Sequence, residues 1–262
     1  MPVVNKLFIA LCSALFSSGC VTESFHDSST AEFVDPVELT EVPFYPQSRY
    51  QCGPAALASV LNYSGLNVDK EQLVGDIYLP GRKGSLQVEM IAAIRRYGRV
   101  PYVYQGNLQS ILVQLQENRP SLVLLNLGLK PFPVYHYAVV VGYQSDSDEI
   151  ILRSGTDPRR LMQRNKFLSS WNRAGSWALV VLPAGALPDS IDVESYLEAV
   201  IALEAGAQWQ SAEMGYLAVL QQQPENLLAR FGLANSLRMQ GKLDAAVIEY
   251  EKLLNLYRGY KP

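Results

Sequence analysis

Sulfur and imidazole are scarce in this chain, and their positions invite a chemical reading first. Of 262 residues, three are Cys and two are His. Cys12 sits inside an apolar N-terminal stretch and Cys20 four residues after its end, which leaves Cys52 as the thiol of the remaining chain. His26 lies among Asp27, Ser28 and Ser29 and reads as a solvated linker residue, which leaves His136. A cysteine and a histidine in one folded region are the minimum for nucleophilic catalysis. The imidazole takes the thiol proton and later returns it to a leaving amine. Each residue also has a plainer use, as a buried structural thiol or as a histidine closing a strand.

The neighbourhoods favour chemistry. Cys52 stands in Tyr50-Gln-Cys-Gly-Pro-Ala-Ala-Leu-Ala-Ser-Val-Leu-Asn-Tyr63, where Leu57, Val60 and Leu61 recur at helical spacing. Pro54 suits a first helical turn, since its missing N–H costs nothing there. Cys52 is therefore expected at a helix N-terminus, where orphan N–H groups and the helix dipole would lower its pKa. Gly53 lets backbone or substrate approach closely. His136 opens Val134-Tyr-His-Tyr-Ala-Val-Val-Val-Gly-Tyr143, whose β-branched run predicts a core strand. A turn at 145–148 and a second strand, Glu149–Ser154, would form a hairpin that returns Asp157 to the His136 end. Asp157 is thus the candidate to orient the imidazole, although an Asp before Pro158 also suits a simple turn. Asp146 and Asp148 fall at the opposite, turn end. Upstream, the Gln47 side-chain amide could stabilise an oxyanion together with the Cys52 N–H, with Gln51 as the competing donor.

Taken together, Gln47, the run Gln51-Cys-Gly-Pro-Ala-Ala56, His136 before its valine strand, Gly142-Tyr143 and Thr156-Asp-Pro158 resemble the bacteriocin-processing, double-glycine type of papain-like cysteine peptidase. The likeness covers roughly residues 42–182. It implies Cys52 as nucleophile, His136 as base, Asp157 as orienting acid and Gln47 as oxyanion donor. Two features depart from that family's best-known members: no transporter membrane domain or ATP-binding motif is read in this sequence, and the domain is expected outside the cytoplasm. Processing of double-glycine leaders is therefore not implied.

The intervening sequence fits an α+β papain-like domain over residues 41–183. Ser85 is a candidate cap for a helix through Tyr97, with Val88, Ile91, Ala92 and Arg95 on one side. Residues 100–104 read as a strand, 107–117 as a helix and 121–126 as a buried strand, and 177–182 as the strand that closes the sheet. Residues 183–192, with Pro183, Gly185, Pro188 and Asp189, read as a linker. Beyond it, over 193–260, Leu203 and Leu237, Ala212 and Ala246, Tyr216 and Tyr250, and Val219 and Leu253 each recur at one constant offset. That period is similar to tetratricopeptide repeats, which are stacked helix pairs. Two such repeats are too few to stand alone, so this all-α module should pack on the peptidase domain or on a protein partner. The first repeat has no clear turn glycine, only Gly206 nearby.

Residues 1–19 look like an export signal, with Lys6 before the apolar stretch at 7–16, and Ser17-Ser-Gly-Cys20 resembles a bacterial lipobox with Cys20 as the acylated residue. Val21 after it, by analogy with Gram-negative lipoproteins, points to the outer membrane and a periplasm-facing protein. A lipid anchor would hold it there, followed by a flexible tether over residues 20–40. Removing residues 1–19 takes away one Lys and no acid, moving the net charge from −3 to −4. That balance argues against nucleic-acid binding. With one Cys and one His in the fold and no HExxH spacing, no metal or other cofactor is expected. The expected activity is hydrolysis of peptide bonds in a peptide or protein substrate. Acyl transfer by the same groups, or a non-catalytic peptide-binding or assembly lipoprotein using its repeats, are the rival readings.

Overall fold

A computed structural model describes residues 35–259. Cys12, Cys20 and His26, and with them the expected signal, lipidation site and most of the tether, lie outside the described residues.

Among the described residues the sheet has seven antiparallel strands, in the order β2-β7-β3-β4-β5-β6, with β1 pairing β4. Strand β1 (Val37–Glu38) belongs to a stretch expected to be tether. It pairs Val37 with Tyr143 and Glu38 with Gly142, and Leu39 and Val42 are buried beside it. Two paired residues are too few to leave a period in the sequence. Gly142 makes room for this pairing, because a Cβ there would come 2.5 Å from the Val37 carbonyl oxygen.

Helix α1 (Cys52–Tyr63) is buried from Gly53 to Leu61 and packs on β4 (Tyr135–Gln144). Its small side chains explain that depth, since an alanine-rich helix can be surrounded on all sides. Helix α2 (Lys70–Ile77), capped by the Asp69 carboxylate accepting from Glu71 N, was not foreseen. Only Leu73 and Ile77 are buried along it, too short a signal to register. Helix α3 (Gln87–Arg96) buries Met90, Ala93 and Ile94, whereas Val88 is exposed. The expected apolar side was therefore rotated. Ser85 is not its cap either, because the helix starts after Leu86 without a side-chain cap.

Strand β2 (Arg99–Gln105), helix α4 (Leu108–Gln116) and the wholly buried β3 (Ser121–Asn126) fall where the sequence placed them. Asn107 caps α4 by accepting from Ser110 N. Strands β4 and β5 (Glu149–Ser154) form the expected hairpin. Residues 157–163, of which the sequence marks only Asp157 and Pro158, as a turn, continue as β6 (Asp157–Gln163), an exposed edge strand. Its Pro158 and three arginine or glutamine side chains suit an edge that must not recruit another strand. Helix α5 (Arg164–Asn172), also unforeseen, buries Phe167 and Trp171. Strand β7 (Trp177–Pro183) does not close the sheet. It lies inside it, between β2 and β3, as its buried run Ala178-Leu-Val180 requires.

Four helices follow: α6 (Val193–Glu204), α7 (Trp209–Gln222), α8 (Leu227–Met239) and α9 (Leu243–Gly259). Each packs on the next, and α6 also packs on β2. Val100, Val180 and Leu182 from the sheet share one core with Tyr196, Val200 and Leu203 of α6. The connecting segment is tied down rather than free. Ile191 is buried, Ser190 Oγ donates to Glu117, and the Asp192 carboxylate caps α6 at Ser195 N.

The repeat spacing places equivalent residues in α6 and α8, and in α7 and α9. Gln208 N reaches Leu203 O after α6, and Lys242 N reaches Leu237 O after α8, so both helices end in the same turn. The left-handed position of that turn is Gly241 (φ 76) in the second pair and Ala207 (φ 53) in the first. The missing glycine is thus at 207, not 206, and alanine adopts the conformation at some cost. Close helix contacts depend on two glycines. A Cβ on Gly215 would meet Val200 at 2.5 Å, and one on Gly232 would run into the Tyr216 ring.

Candidate active site

Cys52 is the first residue of α1 and half-buried. The helix begins without a side-chain cap at Gln51, so its first N–H groups are left to other acceptors. The backbone amides of Tyr137 from β4, of Gly53 and of Cys52 itself bear on the sulfur and favour its charged form. The Tyr137 N–H belongs to the peptide that joins it to His136, so the nucleophile lies against the backbone of the candidate base. Gly53 is required here. A Cβ on it would sit 2.6 Å from Ser85 Oγ, a hydroxyl buried without a partner among the described residues.

The expected fall in the thiol pKa does not occur. Burial raises the Cys52 pKa, and the three amides only partly oppose it. The helix terminus is present, but the loss of water around the sulfur outweighs it. The resting sulfur is a thiol.

His136 stands at the second residue of β4, half-buried, with Leu125 of β3 as its register partner. Its Nε2 lies 2.8 Å from Ser154 Oγ. Burial, assisted by the positive charge of Arg160, pushes its pKa down to about 4, so the ring is neutral at pH 7. No direct hydrogen bond joins the ring to Cys52 among the described residues. Hydrogen bonds of this kind often tighten only when substrate is bound.

The expected orienting contact from Asp157 is not formed. The hairpin does return Asp157 to this end of the sheet, opposite Ser154 in register. However, Asp157 is exposed and its Oδ1 accepts from Arg159 N at 2.9 Å. The residue in contact with the imidazole is Ser154, buried at the end of β5. Sequence reasoning missed it because a serine closing a strand carries no motif. The hairpin register, counted back from the turn at 155–156, was the one signal that could have found it.

Gln47 is fixed close by, its backbone N–H donating to Gly155 O at 3.0 Å, one residue from Ser154. Its half-buried side chain is therefore carried on the same end of the sheet as Ser154 and His136. Gln51 also flanks the nucleophile, as the residue before α1. No group of three or more His, Cys, Asp or Glu side chains that could hold a metal ion occurs among the described residues.

A family model described as "Peptidase_C39 like family" matches residues 39–179, more than half of the chain. The chain belongs to the C39-like peptidase family. The match begins directly after β1 and ends in β7, so this C39-like domain is a cysteine peptidase domain of sheet and helices, and the four C-terminal helices lie outside it. Three solved structures are similar to it. A putative C39-like peptidase from Bacillus anthracis is 18% identical, with a TM-score of 0.48, covering 57% of this chain and 98% of that one. The peptidase domain of Streptococcus ComA, described as a bifunctional ABC transporter involved in quorum sensing, is 22% identical over 54% of this chain and 98% of that domain, with a TM-score of 0.46. A double-glycine motif protease from an AMS/PCAT transporter, in complex with its leader peptide, is 21% identical over 56% of this chain and 97% of that one, with a TM-score of 0.42. A search of curated proteins gives no match.

Proposed function

We propose that this C39-like protein is a peptidase that cleaves peptide bonds with Cys52 as nucleophile and His136 as general base. The observation that carries the reading is the position of the Cys52 sulfur. It lies at the start of α1 against the peptide between His136 and Tyr137, on the same strand end as a neutral imidazole. A neutral thiol and a neutral imidazole define the order of events. As sulfur attacks the substrate carbonyl, its proton moves to His136, the S–C bond forms, and the carbonyl electrons move to oxygen. The Cys52 N–H and the Gln47 side chain are the proposed donors to that oxyanion. Collapse breaks the C–N bond, and the amine leaves with the proton from His136. Water then hydrolyses the thioester by the same route.

The four C-terminal helices are proposed as two tetratricopeptide repeats. Their constant offset, their paired helix-ending turns and the buried Ala212 and Ala246 support that reading. One end of this array is anchored on β2, which leaves α9 as the outer surface for a protein partner. The N-terminal sequence supports export and acylation of Cys20, giving a lipid-anchored protein of the bacterial outer membrane that faces the periplasm.

The test is cleavage of a peptide library by the full-length protein, alongside labelling with a thiol-reactive electrophile. Wild-type protein is expected to cleave and to label at Cys52. Cys52→Ala should not cleave and should lose the label at position 52, and His136→Ala should lose cleavage and label more slowly at Cys52. Cleavage retained in Cys52→Ala would overturn the proposal.

A further inference from the structure

We propose that Ser154, rather than a carboxylate, is the residue that positions His136 for catalysis. This rests on the Cys52–His136 reading above and extends it to the third group of the site.

The geometry is specific. Ser154 is 2% exposed and its Oγ lies 2.8 Å from His136 Nε2. The backbone around it is fixed on both sides. Arg153, the preceding residue, donates through Nε to Val42 O at 3.1 Å and through Nη2 to Thr40 O at 3.0 Å. The following residue, Gly155, turns the chain at φ 66 and receives the Gln47 N–H. Ser154 therefore has little freedom to move away from the ring.

The competing acid is engaged elsewhere. Asp157 accepts from Arg159 N, and the Arg159 guanidinium is itself held by Glu38, with Nη2 and Oε2 2.8 Å apart. Among the described residues, the charged side chains that bear on His136 reduce to the Arg160 guanidinium from β6. No carboxylate among them compensates a protonated ring.

A hydroxyl and a carboxylate do different work in this position. Either can accept a hydrogen bond from Nε2–H, which leaves Nδ1 without a proton and ready to take one. Only a carboxylate also stabilises the imidazolium by its charge. With Ser154 in place, the ring is oriented without being made more basic, and no resting thiolate–imidazolium pair is favoured. The sulfur is activated as substrate arrives, not beforehand.

The experiment uses full-length protein and two readouts that do not require a known substrate. One is the rate of Cys52 alkylation by iodoacetamide across pH; the other is the nitrogen NMR signal of His136, assigned by comparison with His136→Ala. Wild type should show a neutral ring protonated on Nε2 at pH 7. Ser154→Ala should lose that single tautomer and alkylate more slowly by up to about tenfold, the scale of one net hydrogen bond. Ser154→Thr, which keeps the hydroxyl, should restore both. Ser154→Asp should raise the pH at which His136 takes up its proton by about 1 to 3 pH units and speed alkylation below neutrality. Asp157→Asn should change neither readout.

Two results would overturn the proposal: an unchanged tautomer and rate in Ser154→Ala, or an Asp157→Asn variant that reproduces the loss expected at Ser154. The outcomes separate the two levels of argument. If His136→Ala slows alkylation but Ser154→Ala does not, the role of Ser154 fails and the Cys–His pair stands. If His136→Ala has no effect either, the pair itself fails, and the role of Ser154 with it.

Discussion

The sheet with its surrounding helices and the four-helix array solve the same packing problem in different ways. The first encloses its central elements: α1 is buried along almost its whole length, β3 along all of it, and several buried polar groups there have assigned partners. Asn126 accepts from both Gly128 N and Val134 N, each at 3.0 Å, and Arg153 reaches three carbonyl oxygens. The array instead packs each helix mainly on the next, and its last helix is mostly uncovered. In α9 Ala246 is buried, while Leu243, Val247, Ile248, Leu254 and Tyr257 are exposed. An enclosed core can hold a cysteine and a histidine in fixed, dehydrated positions; a stack can end on an apolar face. The candidate catalytic pair lies in the more enclosed of the two regions.

The largest expected effect tests where the chemistry resides. Cys52→Ala should abolish peptide cleavage while leaving the thermal midpoint close to wild type, measured by turnover and by circular dichroism. Next in size is the charge of His136. Its folded pKa of about 4 lies below the ordinary value of 6.5, so folding favours the neutral ring. The stability this brings is fully present above pH 6.5 and is lost as pH falls towards 4. The loss amounts to about 3 kcal/mol at most. Urea denaturation at pH 7 and pH 4 should show it, and His136→Gln should show a correspondingly smaller decline.

A disruption confined to the array should sharpen the contrast. Gly232→Ala forces a methyl group into the Tyr216 ring and should cost about 1–3 kcal/mol, read from the denaturation midpoint. The rate of Cys52 alkylation in the native state should not change. Asn126→Ala is the counterpart in the sheet. It leaves two loop N–H groups without their acceptor and should cost about 1–3 kcal/mol, with faster hydrogen exchange at Gly128 and Val134. The smallest effect is expected on the exposed rim of the array. Lys252→Ala removes an ion pair with Glu249 whose lysine is 54% exposed, and should change stability by less than about 1 kcal/mol.

The legible parts of this molecule were those with strong local signals. The run from Gln51 to Ala56, the valine strand after His136 and the constant offset between helix pairs each announced their element. Segments whose character depends on distant neighbours were hidden. Strand β1 is two residues long and exists only because β4 is beside it. Asp69 caps a helix that buries just two side chains. The site followed the same division. Cys52 and His136 became candidates by elimination, but the partner of the imidazole depended on hairpin register, and the direction of the thiol pKa shift depended on burial. A helix N-terminus can be seen in a sequence; the dielectric around it cannot.

Arg153 has a mechanical consequence. Its guanidinium ties Thr40 and Val42 to β5, while β1 pairs with β4 directly upstream. Any force transmitted along the chain from the N-terminal side is grounded in the sheet at residues 37–42, before it can reach Gln47 or the first turn of α1. A tug on that end would be borne first by the β1–β4 pairing and the Arg153 hydrogen bonds.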